Sequence, residues 1–148
     1  MARSMTDSER IMFVHFMAEN QRCWCCGWQP NRGQDYIAPD YAAPVRLENH
    51  HIVGGAGRKH IRENIARLCS ICHRVFHGDR IRLESGKLLP EITLAHVMWM
   101  KRESDRRYYN PEKLSELSIR RMPDPEPPSN VYQGGGGWNG MKDPFDMG

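Results

Sequence analysis

At 148 residues the chain fits one domain of ordinary size, and a net charge of +3 is too mild to imply a nucleic-acid partner by itself. No apolar run approaches the ~20 residues that span a bilayer, and the N-terminus lacks the apolar core and cleavage site of a secretory signal. These features predict a cytoplasmic protein. Structural disulfides are disfavoured there, so the five cysteines point to metal.

Along the chain, "TDSERIMFVHFMAEN" reads as a first helix within an N-terminal segment, residues 1–22. Thr6 and Glu9 have capping-box spacing, and Ile11, Val14, Phe16 and Met17 supply its apolar face. "QRCWCCGWQP" is a tight cysteine-rich turn, followed by a polar, proline-containing connection over residues 29–46. "RLENHHIV" and "NIARLC" are short strand candidates, and "SICHRVFH" is a short helix that Gly78 can end. Together they make a central segment, residues 23–82. A helical extension over 83–121 follows. Its first helix spans about 91–105, with Ile92, Ala95 and Trp99 on one face, and its second runs from Asn110-Pro111 to about Arg121. From Met122 the run "PDPEPPSN" and the glycine cluster predict a flexible tail, residues 122–148.

Two CxxC turns, Cys23/Cys26 and Cys69/Cys72, have 42 residues between them. Each turn converges two thiolates, so the pair is a strong signal for a four-cysteine zinc site. Four thiolates leave no open coordination position, which makes this zinc structural. Metal binding at such sites stabilises small folds by on the order of 10 kcal/mol. Cys25 is the spare cysteine.

The histidines form a second constellation. His73 and His77 stand at i, i+4 on a predicted helix, with Cβ atoms about 5–6 Å apart on one face. His50 and His51 stand on a predicted strand, where neighbours point to opposite faces, so only one of them can join the helical pair. Three ligands and an open position are the arrangement of a catalytic metal. His15, His60 and His96 read as ordinary polar residues.

The run from His50-His51 through Asn64 to His73 and His77 resembles the HNH nucleases of the ββα-metal fold. Asn64 is followed by eight residues and then His73, and three more precede His77, which is the usual register. The resemblance covers about residues 23–78, and many members carry paired CxxC turns. It implies an α+β fold: a small ββα-metal core with structural zinc knuckles, flanking helices and a loose tail. It implies that His50 and His77, with His73, hold one divalent cation such as Mg²⁺ or Mn²⁺. His51 would then be the general base that takes a proton from water, and Asn64 the restraint that keeps His51 oriented. Small members are often phage-borne and act with packaging proteins, or are mobile like homing enzymes.

Charge distribution fits a polyanion. Residues 50–82 carry seven basic residues against Glu63 and Asp79, so this segment is +5 and the remainder −2. Arg58, Lys59, Arg67 and Arg74 are the candidate phosphate contacts to double-stranded DNA. Lys101, Arg102, Arg106 and Arg107 could add to them from the helical extension, although a solvated helix end has the same composition. The competing reading is a zinc-stabilised DNA- or protein-binding module without catalysis.

Overall fold

The computed structural model describes residues 4–30, 44–55, 58–82 and 86–128. Among these residues it is a small mixed α+β fold with four α-helices and one two-stranded antiparallel sheet. The order is α1 (Asp7–Glu19), β1 (Leu47–His51), β2 (Ile65–Cys69), α2 (Ser70–Phe76), α3 (Leu94–Ser104) and α4 (Pro111–Ser118). Among the described residues no helix is long and apolar enough to cross a membrane.

Helix α1 begins where the sequence places its cap. The Glu9 N–H donates to Thr6 Oγ1 at 3.1 Å and the Thr6 N–H donates to Glu9 Oε1 at 2.8 Å. Its inward face differs from the expected one. Phe13 and Phe16 are buried, whereas Ile11 and Val14 are 57% and 61% exposed. Two large aromatic rings bury more apolar area than two aliphatic side chains, and that decides which face turns inward.

Strands β1 and β2 pair in the register Leu47↔Cys69, His50↔Ala66 and His51↔Ile65. A lone hairpin is marginal in water, so this one is stabilised by what covers it. Every residue of β2 is buried, and its Leu68 and Ile65 join Phe16, Trp24, Ile71, Val97, Met98, Met100 and Leu114 in a single apolar cluster.

The extension is tied to the hairpin by one buried cation. Lys101, fully buried, donates to Arg62 O at 2.6 Å, Ile65 O at 2.9 Å and Asp105 Oδ2 at 2.9 Å. Its three donors thus meet three acceptors, and the position expected to face nucleic acid is instead an internal brace. Burial draws its pKa down to about 8, with Asp105 opposing, so the group stays charged at neutral pH. Arg62 adds a paired contact to Asp105, at 3.1 and 2.9 Å, and lies 4.4 Å from the Tyr108 ring centroid.

Helix α3 starts at Leu94, capped by Thr93 and His96, and buries His96, Val97, Met98, Met100 and Lys101; Ala95 and Trp99 are only partly covered. Asn110 caps α4 as expected, but the helix stops at Ser118, before a left-handed Ile119. The tail boundary also shifts. Met122 is buried, its N–H donates to Ser115 Oγ at 2.9 Å, and the Glu126 N–H donates to Ala95 O at 3.1 Å. Prolines at 123, 125, 127 and 128 lower the entropy lost on ordering, so residues 122–128 lie against α3 and α4 despite their polarity. Residues 129–148 of the expected tail, and 31–43 of the polar connection, lie outside the described residues.

Candidate functional site: two ligand clusters on one helix

Cys23, Cys26, Cys69 and Cys72 come together in the interior, their sulfurs all within 4.8 Å of one another. The first turn closes through the Gly27 N–H on Cys23 O at 3.0 Å, with Gly27 at φ +82°, where a side chain would be strained. The N–H groups of Cys25 and Cys26 point at Cys23 Sγ at 3.4 and 3.5 Å. In the second turn the Cys72 N–H points at Cys69 Sγ at 3.4 Å, and Cys69 is also the N-cap of α2. The turns are locked together where the Trp24 N–H donates to Arg67 O at 2.9 Å. No disulfide joins any of the five cysteines, and Cys25, though buried, stands outside the cluster of four.

The cluster fits zinc. A zinc–sulfur bond of about 2.3 Å gives a tetrahedron with edges of about 3.8 Å. Cys26 Sγ and Cys69 Sγ are 3.7 Å apart. Its electrostatics ask for a cation as well. Burial pushes Cys26 and Cys69 up, and contact with Cys23 pushes Cys72 up. Burial also acts to raise Cys23, but hydrogen bonds from the other three thiols outweigh it and hold Cys23 low. The group by itself therefore favours one thiolate, and four together need a positive counter-charge.

The same helix contributes to a second cluster. His50 from β1, His73 from α2 and His77 at the C-cap of α2 bring one ring nitrogen each to within 4.8 Å of the others. His50 Nδ1 and His73 Nε2 are 3.1 Å apart, close to the edge of about 3.4 Å expected around an ion with bonds of about 2.1 Å. Burial is graded: His50 is buried, His73 partly so, and His77 exposed. One side of the cluster is thus open to solvent. Burial, with His73, His77 and His51 adding to it, draws the His50 pKa down to about 3, so its ring is neutral and able to ligate at pH 7. The other ring nitrogen of His50, Nε2, is buried with no hydrogen-bond partner among the described residues, a state that costs roughly 1–3 kcal/mol.

Glu48, which sequence reasoning passed over, belongs to this cluster. Its Oε1 is 2.8 Å from His73 Nδ1, which fixes the proton there and leaves the Nε2 lone pair toward the ligand group. Arg46 holds the other carboxylate oxygen at 2.8 Å. The signal was available: Glu48 stands two residues before His50, on the same face of a strand.

Asn64, fully buried, works on the loop that follows β1. Its Oδ1 accepts from the Val53 N–H at 2.8 Å, and its Nδ2 donates to Val53 O at 3.1 Å and Lys59 O at 3.2 Å. Both ends of the loop are therefore clasped by one side chain. His51, half-buried on β1 beside His50, pairs through Nε2 with His60 Nδ1 at 3.0 Å. Burial, then His60 and Arg58, lower its pKa to about 4, so His51 is uncharged at neutral pH. His60 was read as an ordinary polar residue. No local spacing points to it, because the loop alone sets its distance from His51.

The candidate phosphate contacts divide. Arg58 and Lys59 are exposed on the loop, and Arg74 is exposed but paired with Asp79. Arg67 is 9% exposed, donating from Nε to Asn20 O at 3.0 Å and from Nη1 to Asn49 Oδ1 at 2.8 Å. Its place on a fully buried strand makes it an internal strut, not a surface contact.

No protein-family model, curated protein or solved structure matches the chain.

Proposed function

We propose that the chain is a metal-dependent endonuclease of the HNH type, with a ββα-metal core, that hydrolyses phosphodiester bonds of double-stranded DNA. The observation that carries the reading is the convergence of His50, His73 and His77 from two elements, with His51 the next residue along the strand. In this reading zinc sits among the four cysteines and fixes α2, while the three histidines hold a divalent cation such as Mg²⁺ or Mn²⁺. That cation would neutralise the scissile phosphate and stabilise the departing alkoxide.

The remaining steps belong to side chains. His51, neutral at pH 7, accepts a proton from the attacking water. Asn64 keeps the loop closed on the strand end that carries His51. Glu48 orients His73. The exposed Arg58 and Lys59 position the DNA backbone without reading its sequence.

Plasmid DNA incubated with the protein and Mg²⁺ or Mn²⁺ tests the reading. Nicked or linear product is expected, together with its loss in His51→Ala at unchanged melting temperature. Salt-sensitive DNA binding with no cleavage under any divalent ion would instead establish a binding module.

A further inference from the structure

We propose that His60 is a positioning residue for the base: it holds the proton of His51 on Nε2 and so keeps the Nδ1 lone pair of His51 open. The inference rests on the reading of His51 as the base.

The contact runs from His51 Nε2 to His60 Nδ1 at 3.0 Å, with the rings edge-on at a centroid separation of 5.0 Å. One nitrogen must donate and the other accept, which leaves two arrangements. If His51 donates, both rings carry their proton on Nε2, the form that a free histidine side chain prefers. If His60 donates, both rings carry it on Nδ1, the less stable form. The contact itself admits both arrangements, and the intrinsic tautomer preference favours donation from His51 to His60.

Two features hold His60 in place. The Phe13 ring stands edge-on to both imidazoles, with centroids 6.3 Å from His51 and 5.7 Å from His60. Asn64 grips Lys59 O, the carbonyl just before His60, with the same side chain that grips Val53. The ordering of the loop and the tautomer of His51 are thereby linked through one asparagine. A base needs its lone pair on the nitrogen that meets the water, and a ring free to exchange tautomers would present it for only part of the time.

Nitrogen-15 NMR of the full chain at neutral pH, comparing wild type with His60→Leu and His60→Asn, reads the tautomer directly. The wild-type His51 is expected as pure Nε2–H. In His60→Leu an Nδ1–H population should appear. His60→Asn, whose Oδ1 can stand where Nδ1 stood, should restore the wild-type spectrum. Plasmid cleavage by His60→Leu should fall at least tenfold in kcat at unchanged KM and metal affinity, with recovery in His60→Asn. A wild-type His51 protonated on Nδ1, or a tautomer unchanged in folded His60→Leu, would overturn the proposal. Should His60→Leu fail to fold, the through-hydrogen-bond nitrogen–nitrogen coupling between His51 Nε2 and His60 Nδ1 in the wild type decides it: its presence supports the pairing and its absence overturns it. A wild-type chain that cuts no DNA yet holds His51 as pure Nε2–H through His60 would defeat the nuclease reading and leave the pairing intact.

Discussion

The cysteine and histidine clusters share one seven-residue helix, with Cys69 at its N-cap and Cys72 in its first turn, His73 beside Cys72 and His77 at its C-cap, yet they are built to opposite specifications. The cysteine cluster is enclosed on all sides, with Cys23, Cys69 and Cys72 at 0% exposure and Cys26 at 4%. The histidine cluster grades from buried His50 to exposed His77 and keeps an open side. Four enclosed soft ligands suit an ion that stays and holds the fold. Three harder ligands at a surface suit an ion that must also meet a substrate. Because Cys69 caps α2 and Cys72 lies in its first turn, the enclosed cluster also aims His73 and His77.

The sharpest way to break this contrast is to remove one cysteine. Cys69→Ser takes away a thiolate ligand while its hydroxyl can still cap α2, so the loss reads the metal site alone. It should unfold the hairpin, with a loss approaching the order of 10 kcal/mol that such metal sites contribute, visible in a thermal melt and in zinc stoichiometry. A variant that melts like wild type would mean the cluster holds no structural ion.

His77→Ala should do the reverse. His77 is exposed, so the melting temperature should barely move, within the ±0.5 kcal/mol usual for surface changes. Cleavage should fall by more than about a hundredfold, since a ligand itself is lost and not merely its orienting partner. Equal effects of Cys69→Ser and His77→Ala on stability would erase the distinction between the clusters.

Glu48→Gln is a subtler probe. It keeps shape but weakens the hold on His73 Nδ1, and should lower divalent-ion affinity about 10–100-fold in a calorimetric titration while leaving zinc content intact.

A last probe is pH. As the proposed base His51 must be neutral, and burial has lowered its pKa from 6.5 to about 4. Activity should therefore persist below pH 6.5, with its acid limb displaced toward 4; a limb at or above 6.5 would contradict the buried setting. Stability follows the same sign. The unfolded chain takes up protons at His50 and His51 near 6.5 while the fold refuses them, so stability is full above that value. It is lost progressively as the pH falls toward 3 to 4.

How much of this was legible beforehand depends on the range of the interaction that decides each feature. The capping box of Thr6 and Glu9, the Asn110 cap, both CxxC turns and the His73–His77 pair are set by neighbours within four residues, and each formed as the spacing implied. The inward face of α1, the end of α4 and the packing of residues 122–128 differ from expectation, because each is settled by competition for a core that no local window contains. Arg67 and Lys101 illustrate the same limit for charge. A sequence records two cations. Burial and the carbonyls waiting at Asn20, Arg62 and Ile65 turn them into internal struts.

Spacing over a few residues encodes the two cysteine turns, the His73–His77 pair and the elements that carry them, because chelating geometry is local. Folding settles the rest: which histidine of the adjacent pair faces α2, that Glu48 stands behind His73, and that His60 meets His51 across a nine-residue separation. Those outcomes depend on strand register, on the Asn64 clasp and on the aromatic packing of α1. They are long-range contacts, whose geometry exists only once the chain has closed on itself.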